Sequence, residues 1–278
     1  MDETRDSKEP GDEATGPSHR TSPFASHGVS IWDGHMHVEC MPGHPWDSPP
    51  ERALALMDPM GIEKSVIMPY VEVGRENAQQ LEAMARHDQT YPGRFILFAR
   101  LHPEDPGVAE ALLEHSVDLG YVGLKLHPVG SQVAPADPRT VRLVRRAAAL
   151  GFPTLFHCGD EALTLPEDIG PLAEEVPEAT IILGHAGGYF HVRSAIQWAL
   201  RCPNLVLETS ATPDVLALRE ALEILGPERI IYGSDGPGCH PYLELEKVRL
   251  VLEGRDGDAA SLVLRDNLAR LLPERGGP

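Results

Sequence analysis

The chain has 278 residues with 42 acidic and 24 basic side chains, a formal charge of −18, and an apolar share of 42%. That excess of carboxylates speaks against a nucleic-acid partner, which needs a basic face to neutralise phosphates, and no apolar run reaches the roughly 18 residues of a membrane span. Four cysteines, Cys40, Cys158, Cys202 and Cys239, lack C-x-x-C spacing and the density of a secreted scaffold, so reduced thiols in a cytoplasmic protein are expected.

Residues 1–28 mix six acidic with three basic side chains, are rich in Ser, Thr, Pro and Gly, and contain no apolar segment of the export-signal type. They bury too little apolar surface to order themselves, so a disordered leader is expected there and a single folded domain over 29–278. From residue 29 onward, short β-rich runs alternate with longer segments of helical period, as in βα units around a parallel sheet. Strands are predicted over 29–32, 64–70, 95–101, 122–127, 153–157, 180–185, 205–209 and 229–233. Helices are predicted between them over 50–60, 76–91, 107–119, 138–150, 166–175, 192–201 and 215–225, with a closing pair over 243–252 and 261–272. Start signals such as Asp137-Pro138 and stops such as Leu119-Gly120, Leu150-Gly151 and Leu225-Gly226 punctuate them.

The chemistry gathers at the carboxyl ends of these strands. In Asp33-Gly34-His35-Met36-His37 two histidines stand one residue apart, and residues i and i+2 of a strand share a face. Lys125, His157, His185 and Asp235 each close a later apolar run. From Lys125 to His157 is 32 residues, from His157 to His185 is 28, and from His185 to Asp235 is 50, two units of 25. From His37 to Lys125 is 88, three units of about 29, close to the roughly 30 residues of a βα repeat. The candidates thus fall on strands 1, 4, 5, 6 and 8. A doubly wound sheet would string strand ends along a line, whereas a closed (β/α)8 TIM-type barrel gathers all eight around one mouth.

Neutral imidazoles and a carboxylate suit a divalent ion such as Zn2+, and His35, His37, His157 and Asp235 are the candidate ligands. Asp235 is also a candidate proton acceptor for metal-activated water, and His185 a ligand of a second ion or a polariser of the substrate carbonyl. Lys125 inside a barrel is desolvated and its free amine becomes accessible. Carboxylated it would bridge two ions; unmodified it would hold an anionic substrate group. His127 shares its parity and is a candidate for the same task. Arg100 and His102 end strand 3 and are candidates for contact with a carboxylate. Glu208 and Ser210 on strand 7 are weaker candidates, and the cysteines near the mouth are assigned no chemistry.

With these residues in place, the chain resembles the amidohydrolase superfamily, in its amidohydrolase-related branch of metal-dependent hydrolases and decarboxylases. The resemblance runs from about residue 31 to 272. It rests on the H-x-H motif, Gly123-Leu124-Lys125-Leu126-His127-Pro128, Phe156-His157-Cys158-Gly159, Gly184-His185-Ala186-Gly187-Gly188, Gly233-Ser234-Asp235 and Asn267-Leu268-Ala269-Arg270-Leu271-Leu272. It implies a distorted (β/α)8 barrel that binds one metal, usually zinc, through the H-x-H pair, His157 and Asp235, with His185 as ligand or acid/base. Two ions are implied if Lys125 is carboxylated. It also implies self-association into a homo-oligomer, although no surface stripe identifies an interface. Gly236 stands where an aromatic residue often follows the Ser-Asp pair, and residues 38–50 leave little room for a large lid. The expected function is hydrolysis of an amide, ester or lactone carbonyl in a small molecule. Non-oxidative decarboxylation of a small carboxylic acid is the alternative, and a barrel that binds without turnover a third reading.

Overall fold

The structure, a computed structural model, describes residues 22–24, 28–70 and 78–273. Most of the expected leader and the first two residues of the helix predicted over 76–91 lie outside the described residues. Eight strands form one parallel sheet in sequential order: β1 (Ile31–His37), β2 (Ile62–Met68), β3 (Phe95–Arg100), β4 (Gly123–Leu126), β5 (Thr154–His157), β6 (Ile181–Gly184), β7 (Leu205–Glu208) and β8 (Ile230–Ile231). The helices are α1 (Pro50–Met57), α2 (Ala78–Thr90), α3 (Pro106–Asp118), α4 (Pro128–Ser131), α5 (Pro138–Ala149), α6 (Pro166–Glu175), α7 (Val192–Arg201), α8 (Val215–Leu225), α9 (Pro241–Val251), α10 (Gly257–Ser261) and α11 (Asn267–Leu271). This is the expected barrel. No helix among the described residues is long and apolar enough to cross a membrane.

No regular ladder joins β8 to β1. The ring is closed instead by Gly34 N–H donating to the Tyr232 carbonyl (2.9 Å), Asp235 N–H to the His35 carbonyl (2.7 Å) and His37 N–H to the Gly236 carbonyl (2.7 Å). These bonds account for two departures from the sequence reading. β1 runs on to His37, so the histidine pair lies inside the strand, because its polar residues find partners on the β8 loop. β8 shrinks to two residues, because Tyr232 N–H turns away to the Val263 carbonyl (2.9 Å). The last predicted helix, over 261–272, is divided: a single π-helical stretch (Leu262–Asp266) separates α10 from α11.

The inside of the barrel follows the two-residue period of its strands. Val66, Ile96, Phe98, Leu155, Ile182, Val206 and Ile231 form one buried cluster that plugs the lower end. Full burial of such a side chain contributes about 1.5–3 kcal/mol. Two residues further along the same lane the character turns polar: Phe98 is followed by Arg100, Leu155 by His157, Val206 by Glu208. The larger core lies between the sheet and the helices, and Phe24, within the segment assigned to the leader, is buried in it. Aspartates cap several helices, with Asp137 accepting from Arg139 N–H (2.9 Å) and Asp214 from Ala217 N–H (2.9 Å).

Candidate metal centre and catalytic mouth

At the carboxyl end of the barrel a cavity of ≈ 370 Å³ opens among His37, Arg100, Lys125, His127, His157, His185 and Asp235, with Trp46, Tyr70, Gly238 and Cys239 forming the remaining wall. Of the residues expected to carry chemistry, His35, Glu208 and Ser210 do not line it but are fully buried. His102 does not line it; its Nδ1 instead accepts Glu104 N–H at 3.2 Å.

The ring protons of β1 are assigned by their partners. His37 Nδ1 lies 3.1 Å from the Pro69 carbonyl, which only accepts, so the proton of the neutral ring sits there. Burial lowers the His37 pKa against the opposing pull of Asp235, so the ring is neutral near pH 7. Its Nε2 therefore presents a lone pair to Asp235 Oδ1, 3.3 Å away. His35 is arranged alike: Nδ1 meets Glu208 Oε2 at 3.0 Å, Nε2 lies 3.6 Å from Asp235 Oδ1, and burial, then the nearby Lys125 charge, hold its pKa well below the ordinary value. Burial alone would raise the Asp235 carboxyl; its polar surroundings, with His37 foremost, outweigh burial and hold the group well below the usual range. Three potential acceptor atoms thus converge, with Lys125 Nζ beside the His35 nitrogen, an arrangement that suits a cation. The spacing fits as well, since two atoms each about 2.0–2.1 Å from one tetrahedral zinc lie roughly 3.3 Å apart.

His157 and His185 stand beside this cluster as a second pair. His185 Nε2 lies 3.2 Å from His157 Nδ1, and His157 Nε2 lies 3.3 Å from Glu161 Oε2. His35, His37 and Asp235 hold their ligand atoms within 4.8 Å of one another, as do His35, His185 and Glu208, whereas His157 belongs to neither group. Burial lowers both pKa values, that of His185 to about 4. Lys125 Nζ lies 3.1 Å from His35 Nε2, close enough to donate to that lone pair. His127 caps α4: its Nδ1 accepts Gly130 N–H at 2.8 Å, which leaves the ring proton on Nε2.

The backbone is strained where it presents these groups. His185 (φ 68°), Ala186 (φ 47°), Ala211 (φ 52°) and Asp235 (φ 54°) all occupy left-handed conformations that non-glycine residues seldom adopt, and such outliers cluster at functional sites.

Two residues carry more of the architecture than the sequence reading gave them. Asp33 Oδ1 accepts from His35 N–H (3.0 Å) and Ser234 N–H (2.9 Å), tying β1 to the loop that bears Asp235. Glu208, fully buried at the end of β7, contacts both His35 and the His185 backbone. The signal for it was available in the strand parity, which puts Glu208 in the lane of Val206 and at the height of the ligands.

The family model for the amidohydrolases (Amidohydro_2) matches residues 32–273. A 4-sulfomuconolactone hydrolase from Hydrogenophaga intermedia is 24% identical over 281 residues, covering 90% of this chain and 86% of its own. Among solved structures, 5-carboxyvanillate decarboxylase from Novosphingobium aromaticivorans, complexed with manganese and a nitrobenzoic acid, aligns with a TM-score of 0.71 at 13% identity, over 92% of this chain and 99% of that one. A probable 2-pyrone-4,6-dicarboxylic acid hydrolase from Acinetobacter baumannii aligns with a TM-score of 0.65 at 17% identity, over 87% and 99%. With a family model spanning residues 32–273, almost all of the barrel, and a mouth lined with side chains of the metal-ligating type, the chain belongs to the amidohydrolase family.

Proposed function

We propose that this enzyme hydrolyses a lactone, or a closely related ester, of a small unsaturated acid at a single divalent metal held by His35, His37 and Asp235 with His157 and His185 adjoining. The observation that carries this reading is the convergence of three potential metal-ligating atoms at the mouth. Zinc is the ion the nitrogen-rich set favours. When bound, such an ion polarises the substrate carbonyl and makes water acidic at neutral pH.

The protein's own groups do the rest. As the water oxygen adds to the carbonyl carbon, its proton passes to Asp235, which returns it to the ring oxygen when the C–O bond breaks. His127, which lines the cavity, is the proposed donor to the developing oxyanion. His185 is less suited to that task, since its Nδ1 faces Ser210 Oγ (2.9 Å) and its Nε2 is directed at His157. Arg100 and Lys125 supply the positive charge for a substrate carboxylate, and Trp46 and Tyr70, ring centroids 5.2 Å apart, supply a flat wall for conjugated carbons. The hydrolase names among the relatives support this chemistry. Four free thiols fit a reducing compartment such as the cytoplasm.

Decarboxylation is the second reading, favoured by the same two cations and by the decarboxylases among the structural neighbours. Metal-replete protein assayed on anionic lactones and on aromatic acids separates the two. Ring opening with metal-dependent turnover is expected; carbon dioxide release without ring opening would replace the first reading with the second.

A further inference from the structure

Glu208 sits where three strands present polar hydrogens to one carboxylate. Its Oε2 accepts from the Ser210 hydroxyl (2.8 Å) and the His185 N–H (3.2 Å) and faces His35 Nδ1 at 3.0 Å, while Oε1 accepts the Ser210 N–H at 2.5 Å. The side chain is fully buried, so no water can take over any of these contacts. Because the Ser210 hydroxyl has given its hydrogen to Glu208, its oxygen can only accept from His185 Nδ1, 2.9 Å away. One carboxylate therefore draws the ring proton of His35 directly, and that of His185 through Ser210, onto Nδ1. The Nε2 lone pair of His35 is left towards Lys125 Nζ and Asp235, and that of His185 towards His157 Nδ1. The loop after the neighbouring β8 makes room for it: a side chain at Gly233 would put its Cβ 2.3 Å from Glu208 Oε1.

We propose that Glu208 is a positioning residue that, with Ser210 as relay, fixes the Nδ1–H tautomer of His35 and His185 and so readies both rings for the cation. The inference rests on the metal centre proposed above. It requires an all-acceptor side chain. In Glu208→Gln, an amide nitrogen at the Oε1 position would confront the Ser210 N–H. At the Oε2 position it would donate to His35 Nδ1 and move that ring's proton to Nε2. Neither orientation preserves the pattern.

The test is made on full-length protein labelled with 15N-histidine, with the two rings assigned through His35→Gln and His185→Gln. In the metal-free wild type both rings should give the Nδ1–H signature. In Glu208→Gln both signatures should be lost or mixed, and zinc affinity measured against a competing chelator should fall 10- to 100-fold, the usual effect of losing a group that orients a ligand. Ser210→Ala, which leaves Glu208 in place, should disturb His185 alone; it is the deciding variant if Glu208→Gln does not fold. Unchanged tautomers in either folded variant would overturn the proposal, even if zinc affinity fell. A wild type that binds no zinc would remove the metal reading, while the tautomer measurement on metal-free protein would still decide the role of Glu208.

Discussion

At His37 the ring proton goes to the Pro69 carbonyl, and the other nitrogen faces the Asp235 carboxylate without one. Replacing Asp235 by Asn puts an amide N–H within reach of that lone pair. Turnover is expected to fall by about 10²- to 10⁴-fold, the range associated with losing a general base. Bound metal should fall with it, while the melting temperature in chelator should hold or rise, because the amide satisfies Nε2. Turnover assays, metal analysis and thermal melts on one preparation check all three. The residues of this site were unevenly legible. His35, His37 and Asp235 were recognisable from parity and whole-unit spacing. His157, expected among the ligands with them, meets His185 from β6 and Glu161 from the loop that follows its own strand. Glu208 was undervalued because a buried carboxylate acquires meaning only from the hydrogens that neighbouring strands aim at it.

The strands were easy to read because both faces of a parallel sheet are covered, which gives nearly continuous apolar runs. Their ends were harder. β1 extends through Asp33, His35 and His37 only because those side chains find partners across the barrel seam, and that seam is made of irregular bonds with no local pattern. Helix starts were well marked, and Asp137 illustrates why. Its carboxylate accepts from the Arg139 side chain (2.8 Å) and from the Arg139 N–H, which lower its pKa to about 2. Asp137→Ala should cost about 1 kcal/mol by denaturant unfolding, with only a small part from the exposed ion pair. The folded pKa lies below the unfolded value, so the charge-dependent share is present above about pH 4 and disappears as pH falls towards 2. Mutant and wild type should therefore converge in acid.

For the whole molecule, the buried imidazoles set the response to pH. In metal-free protein His35, His37, His157 and His185 all have lowered pKa values, so between about 4 and 6.5 the unfolded chain binds more protons than the folded one. Stability then rises with pH across that window, by about 3 kcal/mol for His185 alone. Asp33 opposes this: burial raises its carboxyl to about 7, so its contribution falls as pH climbs from 4 to 7. These four rings, joined by His87, outnumber the raised carboxyls of Asp33 and Glu244 and leave a net rise, visible as a melting temperature that increases from pH 5 to 6.5 in chelator. Zinc at 100 times its dissociation constant should add about 2.7 kcal/mol, or roughly 5–10 °C for a chain of this size; a chelator that leaves the melting temperature unchanged would count against a metal bound in the folded state. The wall of the mouth also has an optical consequence. Of the three tryptophans, Trp32 lies under Lys64 and Arg265, and Trp198 lies beneath Arg201 and against Gly170. Trp46 alone lines the catalytic cavity, its indole about half exposed and beside Tyr70. Its emission therefore reports on occupancy of the mouth, so that ligands can be ranked by fluorescence titration before any of them is known to be turned over.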